Sequence, residues 1–435
     1  MTEPGALVIG AGLAGCEAAW QLLQRGISVT LCDMKPGKKS PAHTSDSFAE
    51  LVCSNSLRSD RLQNAAGLLK EEMRRLDSLI MRAADEARVP AGGALAVDRD
   101  LFSGYITSTL KQHPHLRFVE NEVTELPEEN AVIATGPLTS DALSQSIAKM
   151  PGLNALHFYD AAAPIVTKDS IDMSRAFCAS RYGRGEDDYI NCPMDEAEYR
   201  AFYQALIHAE TAPIHGFEEN KVFEGCMPVE SMARRGEMAL AFGPLKPVGL
   251  IDPRTGKRPF AVLQLRRDDA SDSLYNLVGF QTRLKFGEQK RVFGMIPGLE
   301  QAEFARYGVM HRNTFINAPE LLGLDFMLKG SAGVYFAGQM TGVEGYIESA
   351  ASGLAAGIQL ALRMQGKEAA VFPTNTAIGS LCRYVSTFNR TYQPMHVSFG
   401  LIDPLQERIR KKEDRYLRVS ELALESLEAF KLQLA

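Results

Sequence analysis

Residues 5–15 read Gly5-Ala-Leu-Val-Ile-Gly10-Ala-Gly12-Leu-Ala-Gly15. The apolar run Ala6–Ile9 between glycines predicts a short buried strand, and Leu13 to Arg25, closed by Gly26, has helical spacing. Between them stands G-x-G-x-x-G, a weak pattern alone that becomes informative directly after a strand and at the start of a helix. Gly10 permits the tight turn, Gly12 lets backbone approach a pyrophosphate, and Gly15 lets helix and strand pack closely. Ala11, Leu13 and Ala14 complete the turn, whose free amides and partial positive charge suit phosphate. A second strand, Ser28–Asp33, ends on a carboxylate placed to hold ribose hydroxyls. These elements predict an α/β chain that opens with a Rossmann-like dinucleotide-binding domain.

Working outward, residues 34–63 are polar and rich in Pro, Gly, Ser and Asn, which predicts an extended and functional loop. Apolar spacing predicts one helix over residues 64–88 and another over 98–111, followed by strands at 116–126 and 131–135. After Gly136-Pro137 the character changes. Short β-rich runs (163–167, 260–265, 277–280) and one helix at 195–208 predict an α+β domain inserted into the first. Residues 333–338 restore the buried-strand pattern, 346–364 read as a small-residue helix, and 403–434 as one long charged helix. The expected division is 1–150 with 331–435 as cofactor domain, and 151–330 as substrate domain.

Bulk properties narrow the function. A chain of 435 residues with 45% hydrophobic and 23% charged residues has material for a large core. No apolar run approaches the ~18 residues of a membrane helix, so a cytoplasmic protein without membrane contact is expected. Seven cysteines with no CxxC spacing argue against a disulfide framework and against a cysteine zinc site; no metal is expected. A net charge of −6 means that any RNA contact must come from clustered cations. Candidate clusters are Arg283, Lys285, Lys290 and Arg291, and, in the C-terminal segment, Arg408, Arg410, Lys411, Lys412, Arg415 and Arg418. Each is equally readable as a solvated surface.

Two later segments favour FAD over NAD. The strand 131–135 runs into Thr135-Gly136, and Gly338-Gln339 precedes a helix beginning near Gly345. Both resemble segments of the glutathione-reductase-type FAD-binding fold, in which a helix N-terminus is aimed at the flavin. The acidic residue usual after that glycine is Gln339 here. Of the thiols, Cys53 and Cys226 sit in turn-rich, polar surroundings, and Arg58 or Arg234 could favour a thiolate if close in space. Two thiols beside a flavin fit a disulfide reductase, although such pairs normally lie close in sequence. They also fit pyrimidine activation, in which a thiolate adds to C6 and C5 becomes nucleophilic. Cys16 and Cys32 read as packing.

The runs Gly10–Ala19, Leu51-Val-Cys-Ser-Asn-Ser-Leu-Arg58, Phe223-Glu-Gly-Cys-Met-Pro-Val-Glu230 and Asn276–Lys285 closely resemble the TrmFO family of folate- and FAD-dependent tRNA (uracil-5-)-methyltransferases. A related flavoprotein family, GidA/MnmG, modifies the wobble uridine. The first resemblance implies methylation of C5 of uridine 54 in the tRNA T loop to ribothymidine. Carbon would come from methylenetetrahydrofolate by way of FAD, with NAD(P)H as reductant. It further implies that Cys226 is the nucleophile toward C6 and that Cys53 assists by proton abstraction or by holding a resting adduct. Arg283, Lys285 and His311 are the candidate substrate contacts. An FAD oxidoreductase acting on a small molecule, and a tRNA-binding factor with structural FAD, are the competing readings.

Overall fold

The computed structural model describes residues 5–40, 42–149, 156–161, 163–183, 186–212, 227–308, 310–389 and 392–434; for 156–161 and 310–314 only the backbone is described. The opening motif forms β1 (Ala6–Ile9), α1 (Leu13–Leu23) and β2 (Val29–Asp33). β1 pairs in parallel with β2 on one side and with Glu129–Ile133 on the other. Leu116–Glu120 extends the sheet beyond β2, and Ala332–Phe336 returns from far along the chain to pair in parallel with Glu129–Ile133. An all-parallel sheet must be covered on its faces. Here α1 packs on the long helix Tyr346–Met364 so closely that a Cβ at Gly353 would stand 2.1 Å from the Ala14 carbonyl oxygen. Only small residues permit that approach, which accounts for the run of Ala, Ser and Gly in this helix.

A second, antiparallel sheet has the order Phe177–Cys178, Tyr189–Met194, Ala261–Arg267, Leu274–Leu277, Ile165–Thr167, Phe304–Arg306. It has its own apolar core, including Phe202, Leu206, Leu263 and Phe293. The helix Glu196–Ile207 packs on it and starts at a capping box between Asp195 and Glu198. Among the described residues no helix is long and apolar enough to cross a membrane, and no cluster of His, Cys, Asp or Glu could hold a metal ion.

Several sequence expectations need correction. The helix expected over 64–88 is two, Ala65–Arg75 and Leu79–Glu86; Asp77 takes φ +58° and Ser78 caps the second helix through the Met81 amide. The strand expected at 277–280 instead ends at Leu277, because Gly279 turns the chain with φ +77°. The helix expected from 403 begins only at Lys412. Arg408, Arg410 and Lys411 therefore precede it and share no helical stripe with Arg415 and Arg418. Arg418 is engaged by Glu407 and Glu421.

Candidate active site

The glycine loop, the C-terminal ends of β1 and β2, and the residues after Ile133 and Phe336 open onto one cleft. This is the place where an open parallel sheet binds its ligand. Of the predicted cofactor residues, Gly10, Gly12, Leu13, Ala14, Asp33, Thr135, Gly136, Gly338 and Gln339 line it. Ala11 is buried behind the turn and donates its N–H to Asp33 Oδ2 at 2.6 Å; Asp33 Oδ1 takes the Lys35 amide at 2.8 Å. The carboxylate thus fixes the loop, and its remaining lone pairs face the cleft. A Cβ at Gly15 would fall 1.8 Å from the Gly10 carbonyl oxygen, so this glycine is required by packing. At Gly12 nothing lies within 4 Å of such a carbon. That space is open, as a backbone meant to touch a phosphate requires. Glu50, also in the cleft wall, has a buried Oε2 that makes no hydrogen bond among the described residues and lies 3.9 Å from Lys35 Nζ, an acceptor suited to a sugar hydroxyl. The donor set, the open space at Gly12 and the spare acceptor of Glu50 all fit a dinucleotide.

Gly345, with φ +111°, starts the helix Tyr346–Met364, and Tyr346 and Ser349 line the cleft. The amide of Gln339 donates to Glu344 at 2.8 and 2.7 Å, so Gln339 orients a buried carboxylate where an acid was expected. Tyr346 joins this helix to the cysteine loop: its hydroxyl accepts the amides of Cys53 at 2.7 Å and Ser54 at 3.1 Å.

Cys53 is half-buried, and its surroundings differ from those expected. Arg58, which takes φ +63°, turns to the buried Glu348. Two other guanidiniums act electrostatically with Cys53, those of Arg99 and Arg266. Arg266 belongs to the second sheet and is buried; it donates to Ser54 Oγ at 2.7 Å and Asn55 Oδ1 at 3.0 Å. Burial holds Arg266 below the usual guanidinium range. Arg99 pairs with the buried Asp268 at 2.9 Å and also donates to the Leu51 carbonyl. The cysteine turn is thus clamped between the two cores. Arg99, Arg266 and Tyr346 gave no signal in the sequence, since their partners lie far along the chain.

Cys226 lies outside the described residues, as do 213–225. The chain on either side is fixed. Ala212 donates to the Arg283 carbonyl at 2.8 Å, and Val229 donates to the Gln281 carbonyl at 2.7 Å. The buried Glu230 accepts from Thr282 Oγ1 at 2.8 Å and from the Arg283 amide at 2.9 Å. Both ends of the Cys226 segment are therefore held on residues 281–284. Arg283 and Lys285 belong to this anchor and are not among the cleft-lining residues; Lys285 pairs with Glu210 at 2.6 Å. His311 stands in the strand Met310–Phe315, paired with Leu156–Ala161, and its side chain lies outside the description. Cys16 is buried in α1 as expected; Cys32 is buried in β2 at the cleft wall.

Residues 6–368 match the family model described as glucose inhibited division protein A. The chain is 61% identical over 426 residues to a protein of Listeria monocytogenes, covering 98% of each, and 58% identical over 433 residues to one of Staphylococcus carnosus, covering 99% of each. Both relatives bear the name methylenetetrahydrofolate–tRNA-(uracil-5-)-methyltransferase TrmFO. Among solved structures, Aquifex aeolicus GidA superposes with a TM-score of 0.73 at 17% identity, over 99% of this chain and 74% of that one, a likeness of fold. With a family model over most of its length and relatives of this identity end to end, the chain belongs to the glucose inhibited division protein A family, in its TrmFO branch.

Proposed function

We propose that the chain is a cytoplasmic enzyme that binds FAD in the cleft and methylates C5 of uridine 54 in the tRNA T loop. Methylenetetrahydrofolate gives the carbon and NAD(P)H the electrons. The observation that carries this reading is the end-to-end identity with relatives named for that reaction, on a chain whose cleft is bordered by the Cys53 turn. When bound, FAD supplies redox chemistry between the reductant and the one-carbon unit. The chain's own residues do the rest. The Gly10–Gly15 turn and the N-terminus of α1 take the pyrophosphate, and Asp33 takes ribose hydroxyls. The helix entered at Gly345 brings its positive end to the ring system.

Cys226 adds as thiolate to C6 of the uracil, which places nucleophilic density on C5. After C5 has taken the carbon, its proton is removed and the thiolate leaves C6, restoring the double bond. Cys53, held by Tyr346 and faced by Arg99 and Arg266, stands as the group that takes the C5 proton or holds the resting adduct. Arg283, Lys285 and His311 contact the substrates from the 151–330 unit, with 1–150 and 331–435 carrying the cofactor.

The test is incubation with unmodified tRNA transcript, labelled methylenetetrahydrofolate and NADPH. Label should appear as ribothymidine. Cys226→Ala should keep the yellow flavin and lose methylation; full activity in that variant would exclude the thiol mechanism.

A further inference from the structure

An aromatic stack stands beside the anchor of the Cys226 segment, and nothing in the mechanism above uses it. Phe286 is 54% exposed. It opens the helix Phe286–Phe293 directly after Lys285, and its ring stacks on Tyr307, with centroids 4.7 Å apart and an interplanar angle of 20°. Tyr307 stacks in turn on Phe304 at 5.1 Å and 5°. The arrangement is built in advance. Gln289, fully buried, donates to the carbonyls of Leu284 and Gly308 at 2.7 and 2.8 Å and accepts the Gly308 amide at 2.8 Å, which pins Tyr307 against the helix. A large exposed ring stacked on a second that is itself stacked on a third loses little conformational freedom when a further ring is added, and RNA-binding surfaces recognise unpaired bases in this way.

The charges around the stack are sorted. Glu210 is paired with Lys285, and Glu288 with Arg291. Lys290 is exposed one turn along the helix from Phe286, on the same side. Location adds the second argument: residues 281–284, which end two positions before Phe286, hold both ends of the segment carrying Cys226.

We infer that Phe286, backed by Tyr307 and Phe304, is a stacking platform for an unpaired base of the RNA substrate, with Lys290 beside it for a phosphate. The inference rests on the methyltransferase reading, since it takes tRNA as the substrate. The test uses the full-length holoenzyme and unmodified tRNA transcript, with Phe286→Ala, Phe286→Trp and wild type compared for direct tRNA binding and for methylation. Loss of one base–aromatic stack should weaken tRNA binding by roughly 5- to 150-fold in Phe286→Ala. The KM for methylenetetrahydrofolate and the flavin content should not change. Phe286→Trp should restore binding, and its indole fluorescence should be quenched by tRNA.

Wild-type tRNA affinity in Phe286→Ala would overturn the platform. So would a raised KM for methylenetetrahydrofolate with tRNA binding intact, because the ring would then serve the folate. A wild type that binds tRNA without methylating it would sink the functional reading instead, and the binding comparison would still decide on the platform.

Discussion

Alanine at the second and third glycines of the loop should give opposite results, and the structure sets the size of each. Gly12 has φ −78° and ψ −171°, a conformation open to alanine, and no atom lies within 4 Å of the added carbon. Without cofactor, Gly12→Ala should therefore change stability by less than about 1 kcal/mol, the less flexible unfolded chain offsetting the loss of glycine at the N-cap of α1. That methyl group projects into the cleft where the pyrophosphate must reach the loop. Losing one or two charge-assisted hydrogen bonds costs about 1.5–3 kcal/mol each, which predicts FAD affinity down by at least about 10-fold. Gly15→Ala differs, because its Cβ would stand 1.8 Å from the Gly10 oxygen. Relief requires the helix and loop to separate, and overpacking of this kind costs about 1–3 kcal/mol or more. Denaturant unfolding of the apo proteins, together with flavin titration, measures both quantities. A Gly12→Ala protein that binds FAD as tightly as wild type would refute the cradle assignment, and a Gly15→Ala protein of undiminished stability would refute the packing argument.

Further outcomes follow from the clamp around Cys53. Asp268→Ala leaves the half-buried Arg99 without its buried carboxylate and should cost up to about 3 kcal/mol in unfolding, whereas Arg99→Met with Asp268→Leu should cost less than the single change. Tyr346→Phe removes the acceptor of two amides; methylation should fall and alkylation of Cys53 should speed up, with the fold intact by circular dichroism. Burial holds His43, in the cleft wall, below the usual imidazole range. As pH drops below about 6.5 the unfolded chain takes a proton that native His43 refuses. Stability should therefore decline on acidification from neutral pH, and His43→Gln should decline less steeply in chemical unfolding at pH 7 and pH 5.

The Rossmann half was legible because its signals are local. A strand, three spaced glycines, a helix and a terminal carboxylate follow one another, and Tyr346–Met364 announces itself by its small residues. Elements set by a single backbone choice were not legible, since Asp77 at positive φ breaks what the apolar spacing presents as one helix, and Gly279 ends a strand early. The surroundings of Cys53 were hidden for another reason. Arg99, Arg266, Asp268 and Tyr346 reach it through tertiary contacts between the two cores, and neighbouring Arg58, the natural guess from sequence, is drawn away to Glu348.

The central claim is that this fold passes a folate-borne carbon to a tRNA uracil. Its most direct measurement is mass spectrometry of nucleosides from tRNA transcript treated with the flavin-loaded protein, NADPH and methylenetetrahydrofolate carrying a heavy isotope at the one-carbon position. Ribothymidine should carry that isotope at its C5 methyl group. Absence of ribothymidine from a protein that binds both FAD and tRNA, or a methyl group whose isotope follows S-adenosylmethionine instead, would contradict it.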